Sequence, residues 1–252
     1  MQLQGTYKEI WQISYPIILG SLAHSINQLI DTAFLGHSSK VALEAITLAG
    51  IYYFVFVFIA GGLARGAQVI IARHSGENKL NRIGTAFDHL LILASILSLF
   101  LMLFFKYITP IIIPWVVKSV PIQSAVMEYI NMMNYAVIPV VLGFCFNGFY
   151  TGIGKTRIIT IATICMAITN IIFGYLLIFG KFGFLPLGIK GAGIATAIAD
   201  TILFIVYFIY FIASKHPQKY NAFQFKTIRL NLFTSICKLS APIILQNLIG
   251  IG

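Results

Sequence analysis

The sequence has little charge, and very little of it is negative. Only 10% of its 252 residues are charged, and Asp plus Glu number 7. An ordinary globular domain carries about 25% charged residues. With 59% of residues apolar or aromatic and a mean hydropathy of +0.91, too little polar surface remains to cover a soluble core. This excludes a soluble enzyme, a disordered tail and a nucleic-acid-binding module, and leaves the membrane class. Cysteine is also scarce. Cys145, Cys165 and Cys237 fall in apolar runs, the count is odd and no C-x-x-C occurs, so neither a disulfide framework nor a metal cluster is read. The histidines His24, His37, His74, His89 and His216 show no paired metal spacing. There is no nucleophile elbow and no supported Ser/His/Asp arrangement, which removes the membrane-embedded enzyme. Gly152-Ile153-Gly154-Lys155-Thr156 imitates the end of a P-loop, but Phe149 stands where the motif wants glycine, and a membrane helix precedes it instead of a strand. At the N-terminus no small-residue cleavage site follows a short apolar core, so no signal peptide is expected.

What is present is a series of long apolar runs. A helix needs about 20 mostly apolar residues to cross the hydrocarbon. Six runs qualify, at 10–35, 46–72, 84–105, 125–150, 157–180 and 190–213, and a seventh begins near 233. The stretch from Tyr107 to Pro121 holds Pro110, Pro114 and Pro121 around Trp115. It is too broken to span and is expected in the interface. The net charge of +10 comes from basic residues in short loops. Lys8, Arg73, Lys79, Arg82, Lys155, Arg157, Lys215, Lys219, Lys226 and Arg229 lie on the side of the N-terminus; Lys40, Lys106, Lys118, Lys181 and Lys190 lie on the other. Lys and Arg are in excess on cytoplasmic loops, so the N-terminus is expected in the cytoplasm.

The chain contains an internal repeat. Ser14-Tyr15-Pro16-Ile17-Ile18-Leu19 opens the first run, and Ser240-Ala241-Pro242-Ile243-Ile244-Leu245 opens the seventh, 226 residues on. Six spans separate the copies, which puts both on the same side of the membrane. That is a parallel repeat, two six-helix bundles related by an axis along the membrane normal. The expected fold is all-α and polytopic. It comprises a six-helix lobe over 1–214, a basic cytoplasmic linker over 215–232 and the start of a second lobe over 233–252. A continuation of the native chain beyond Gly252 is expected on the same ground.

Ionisable groups inside the membrane are costly and are functional hypotheses by default. Asp31 lies near the outer end of the first run, and Asn27 precedes it by four residues, on the same helix face. Counted inward from the outer ends, Asp31, Asn170 and Thr196 fall at similar depth, and Asp200 slightly deeper. A carboxylate, an amide and a hydroxyl at one level are ligands that a hard cation accepts, and a desolvated carboxylate can equally carry a proton. A structural network between helices is the alternative. Asn131, Asn134 and Tyr135, followed by Pro139 and Asn147, form a polar stripe on a helix expected to kink at the proline. It can line a cavity or join helices. Asp88 and Glu128, near the ends of their runs, are expected at the interface. Gly62-x-x-x-Gly66 and Gly148-x-x-x-Gly152 allow close helix contact.

These residues in this order resemble the multidrug and toxic compound extrusion (MATE) family, over the whole chain. The resemblance rests on Pro16-Ile17-Ile18-Leu19, then Ile30-Asp31-Thr32-Ala33-Phe34-Leu35-Gly36, and Ala72-Arg73 with Gly76-Glu77-Asn78. It continues through Gly152 to Thr156, Asn170 with Tyr175 to Gly180, and Gly188 to Ala197. It implies one lobe of a twelve-helix, two-lobe antiporter. Such a protein has no cofactor beyond H⁺ or Na⁺ as coupling ion, binds small organic substrates and lipid but no nucleic acid, and resides in a bacterial inner membrane. The resemblance also implies that Asp31 is the coupling carboxylate, with Asn170 and Thr196 as its partners. Many members carry Asp or Asn where this chain has Gly174, which places Na⁺ coupling in question and suggests that Asp200 supplies the second carboxylate. A lipid or polysaccharide flippase of the same superfamily is the alternative.

Overall fold

A computed structural model describes residues 7–183, 185–225 and 229–249, apart from the side chains at 8–10, 12, 13, 16, 17, 21, 23–25, 27, 28, 37, 38 and 247–249. Every long element among them is a helix: α1 (Tyr7–Ser38), α2 (Lys40–Gly76), α3 (Leu80–Tyr107), α4 (Thr109–Val116), α5 (Val120–Met133), α6 (Val137–Gly152), α7 (Arg157–Phe179), α8 (Gly188–Ala213), α9 (His216–Tyr220) and α10 (Leu230–Ile249). Five stretches of the described residues are long and apolar enough to span: α2, α3, α5 through α6, α7 and α8. The 32-residue α1 has the length to be a sixth. The apolar runs lie inside these helices, and several helices reach a turn or more beyond their runs because the flanking polar residues continue the helix into the headgroup region.

The fourth run departs from a single helix. It is α5 and α6, joined by a 3₁₀ turn at Asn134–Ala136. Pro139 has no N–H for the Tyr135 carbonyl and its ring crowds that group, so the backbone tightens one turn before the proline. The expected kink therefore lies at 134–136, ahead of Pro139. The proline-rich stretch after α3 folds as the short α4, with Trp115 86% exposed. Its Thr109 is buried and shares a hydrogen bond with the Tyr52 hydroxyl of α2 at 3.0 Å.

Between helices in lipid, apolar surface gives no hydrophobic driving force, so close packing and small residues set the contacts. A Cβ at Gly148 would lie 2.7 Å from the Ala64 carbonyl oxygen, and one at Gly152 3.1 Å from that of Gln68. These two glycines seat α6 on α2. A Cβ at Gly66 would meet the Ser240 side chain and come within 2.9 Å of the Ser240 nitrogen. The Gly62/Gly66 face thus receives α10, the helix that carries the second copy of the repeat. Near the start of α3 and the ends of α6 and α8, Phe87, Phe146, Phe149 and Phe211 form one aromatic cluster, with ring centroids 4.7 Å apart for Phe87 and Phe149.

The helix-ending glycine of α7 is needed as glycine. Gly180 takes φ 64° and ψ 47°, the left-handed conformation that closes helices, and Lys181 N–H reaches back to the Leu176 carbonyl. The chain then returns as α8. At Gly191 a Cβ would sit 2.6 Å from the Leu177 carbonyl oxygen, and at Gly193 2.9 Å from Met132 Cβ. Small residues on two faces of α8 therefore let it approach both α7 and α5, and this closeness builds the polar site.

Candidate functional site

Three helices bring one polar side chain each to a common point. Asp31 is on α1, Asn170 on α7 and Thr196 on α8. The packing of α1 on α7 and of α7 on α8 makes them neighbours. Asp31 and Asn170 are buried. The Asn170 Nδ2 donates to Asp31 Oδ2 at 3.3 Å and to Thr196 Oγ1 at 3.2 Å. The Thr196 hydroxyl has one proton and two acceptors in reach, the Ala192 carbonyl at 3.0 Å and Asp31 Oδ2 at 3.4 Å. The shorter contact is the better bond, so the proton goes to Ala192, and Oγ1 accepts from Asn170.

Two oxygens are left over. Asp31 Oδ1 and Asn170 Oδ1 are buried, and among the described residues neither has a hydrogen-bond donor. A buried acceptor without a donor costs about 1–3 kcal/mol, so this pair is suited to a proton, a small cation or water. The common depth read from the sequence thus corresponds to contact for Asp31, Asn170 and Thr196.

Asp200 lies one turn further along α8, half-buried. Among the described residues it makes no hydrogen bond to Asp31, although it lies near enough to feel the Asp31 charge. Two tyrosines flank the pair and were not singled out from the sequence. Tyr53 of α2 is buried, stacks on Phe105 at 5.2 Å and has a hydroxyl without a partner among the described residues. Tyr129 of α5 is buried beside Thr196. A tyrosine inside an apolar run carries the only available signal, and it is weak. Phe34 covers the outer side, 5.6 Å from Phe179 and 6.4 Å from Tyr175 between ring centroids. Gly174 faces it. A Cβ there would lie 3.6 Å from Phe34 and 3.8 Å from Asn170 Oδ1, which is ordinary van der Waals contact for a Cβ.

The polar stripe of the fourth run does not join this cluster. Asn131 is exposed, Tyr135 is 78% exposed, and Asn134 is half-buried with its Oδ1 unpartnered. Asn147 instead donates to the Tyr207 hydroxyl of α8 at 3.3 Å. The stripe therefore divides, with interhelical bonding at Asn147 and outward-facing groups at the 3₁₀ turn. The Asn27 side chain lies outside the described residues. Asp88, expected at the interface, is only 4% exposed. Its carboxylate is enclosed by backbone N–H groups of the segment after α9, because that segment folds back over α3. Glu128 is exposed, as expected.

The MatE family model matches residues 16–176, a stretch that includes Asp31, Asn170 and Gly174. The chain is 26% identical over 250 residues to a protein of Synechocystis sp. described as "Probable multidrug resistance protein NorM", covering 99% of this chain and 52% of that one. It is 27% identical over 239 residues to a protein of the same description from Bacillus cereus, again covering 52% of the relative. An outward-facing structure of a multidrug resistance MATE transporter superposes with a TM-score of 0.84 at 20% identity, over 94% of this chain and 52% of that one. A MOP superfamily transporter from Pyrococcus furiosus gives 0.81, also at 20% identity. The chain spans about half the length of the curated relatives it matches. The two structures are described as transporters and the two sequence relatives as multidrug resistance proteins; none is described as an enzyme, and the flippase alternative finds no support among them. The apolar helices and the relatives together make the chain an integral membrane protein.

Proposed function

The chain belongs to the MatE family, and on that footing we propose that it is one lobe of a cation-coupled antiporter. In this reading the protein exports organic, cationic or amphiphilic compounds by alternating access across a bacterial plasma membrane. The first lobe runs to residue 214, the linker read over 215–232 gives way to α10 at Leu230, and α10 opens a second six-helix lobe that completes the cavity. Asp31 is the coupling carboxylate, held by Asn170, with Thr196 fixing the Asn170 amide from the other side.

The observation that carries this reading is the pair of unpartnered acceptors, Asp31 Oδ1 and Asn170 Oδ1, buried between three helices. A proton on Asp31 neutralises the site, turns one acceptor into a donor and changes which helix arrangement is favoured. It also weakens the hold on a cationic substrate, so proton entry and substrate release are linked. The oxygens suit a hard cation as well, but position 174 is glycine and offers no ligand. The proton is therefore the favoured coupling ion. Asp200 stands one turn deeper as the second carboxylate, and Asn131, Asn134 and Tyr135 at the helix break line the substrate path, together with Asn27.

The test is dye efflux from vesicles holding the full-length chain, under separate H⁺ and Na⁺ gradients. A proton gradient alone is expected to drive efflux. Asp31→Asn is expected to reduce it at least a hundredfold while the protein still inserts and binds dye. Efflux driven equally by either gradient in Asp31→Asn would remove Asp31 from coupling. Full activity in Asp200→Asn would remove the second carboxylate alone.

A further inference from the structure

Near the cytoplasmic end of α3, two adjacent buried residues hold the chain that leads to α10. Asp88 is 4% exposed and His89 2%. The Asp88 carboxylate accepts three successive backbone N–H groups: Phe223 at 2.7 Å on Oδ1, then Gln224 at 3.0 Å and Phe225 at 3.4 Å on Oδ2. Phe223 and Phe225 have φ of 62° and 46°, so the N–H groups converge as a concave nest of the kind that receives anions. Here the anion is the protein's own carboxylate.

His89 holds the next point along the chain. Its Nδ1 lies 2.7 Å from the Thr85 carbonyl oxygen. A carbonyl only accepts, so Nδ1 carries the proton and Nε2 is left as an acceptor. That acceptor takes the Arg229 N–H at 2.9 Å. Arg229 immediately precedes α10, and its carbonyl accepts the Leu232 N–H at 2.9 Å. The His89 ring also packs on Phe233, with centroids 4.7 Å apart. Gly84, one turn before Asp88, is what permits the approach. A Cβ there would meet the Tyr220 carbonyl and lie 2.8 Å from the Ala222 nitrogen.

We propose that Asp88 and His89 are positioning residues, a clasp that transmits movement of α3 in the first lobe to α10. Their part in transport is to couple the two lobes, and they bind neither substrate nor ion. Both sit at the cytoplasmic end of α3, and neither is among the groups that meet Asp31. They join consecutive residues of one helix to the strap on one side and to the start of α10 on the other. This inference rests on the two-lobe reading above.

The experiment uses the full-length protein in liposomes, with residue-resolved amide exchange and efflux normalised to folded protein. Asp88→Asn leaves the amide oxygen as a poor substitute for two carboxylate oxygens. It is expected to raise exchange at Phe223, Gln224 and Phe225 at least tenfold, with the rise spreading into the first turn of α10. Maximal efflux is expected to fall at least fivefold, with KM within twofold and the pH profile unchanged. Should Asp88→Asn fail to fold, Gly84→Ala lifts the strap while keeping Asp88, and the same pattern is expected. Exchange that does not rise overturns the clasp. Raised exchange confined to 223–225 with maximal efflux within twofold overturns the coupling and leaves a local stitch. If no gradient drives efflux even in the unaltered protein, the antiport reading falls. Exchange spreading into α10 then still supports the clasp, and its confinement still overturns it.

Discussion

Asp31 is held by one good donor, so Asn170 is the residue whose loss should matter most after it. Asn170→Ala removes both Nδ2 hydrogen bonds and leaves a second carboxylate oxygen unpartnered. We expect efflux to fall at least tenfold with a shifted pH profile, measured as dye export against external pH; an unshifted profile would make Asn170 structural. Thr196→Ala is expected to be milder, because its proton serves Ala192. The sharper substitution is Gly174→Asp. The space beside Asn170 Oδ1 accepts a Cβ, and with Phe34 turning aside an Asp here brings a carboxylate to the site. Na⁺-dependent efflux is expected to appear in the variant, and its absence under a pure Na⁺ gradient would show that position 174 does not govern the ion. The three central residues were legible in the sequence because each is polar inside an apolar run and all share a depth. Tyr53 and Tyr129 were not, because depth does not fix rotation about a helix axis. The approach of Gly193 on α8 to Tyr129 and Met132 of α5 is a tertiary contact that no local pattern announces.

Helices here are positioned by a few close approaches, and each can be tested as a contact. Gly66→Val would drive a side chain into Ser240 and into the Ile236 carbonyl, 3.0 Å from the Cβ position. Overpacking of this kind costs about 1–3 kcal/mol, and the thermal midpoint in detergent should drop by several degrees; an unchanged midpoint would mean α10 does not rest on α2. The short α9 gives a pH-dependent case. His216 is buried among Phe149, Tyr150, Phe211 and Tyr220, and Lys155 donates to its Nε2 at 3.1 Å. Burial first, then the charges of Lys155 and Lys219, push its pKa down from 6.5 to about 4. The unfolded chain therefore binds a proton that the folded one refuses between those values. Stability is complete above pH 6.5 and is lost as pH falls toward 4, by on the order of 2 kcal/mol. His216→Gln should lose this dependence, so the two melting curves should converge at low pH; a gap that stays constant with pH would refute it. The existence of the spanning helices followed from the apolar runs and their outer turns did not; the split of the fourth run followed from Pro139 alone, and the sequence could not say on which side the backbone would yield. The P-loop imitation at Gly152 to Thr156 contains the Lys155 that holds His216, a role visible only once α9 folds back.

At the scale of the whole molecule, orientation decides what the site can do. The basic residues divide ten to five in favour of the loops on the N-terminal side, and the structure places the starts of α3 and α7 together with α9 on that side. If those loops are cytoplasmic, Lys79→Cys should react with a membrane-impermeant maleimide only after permeabilisation, and Lys181→Cys in intact cells, each by at least tenfold, in a background lacking the three native cysteines. Asp31 stands seven residues before the end of α1 at Ser38, about 10 Å along the helix, so this orientation places it in the outer half of the membrane. A proton arriving from outside then meets Asp31 first, and the energy of the inward gradient is delivered where an outgoing substrate must be released. The opposite labelling would place Asp31 near the cytoplasm. The same carboxylate would then take its proton on the side from which substrate enters, and proton-driven export through this lobe would lose its direction. Labelling of the two loops therefore tests the orientation on which the proposed proton-driven export depends.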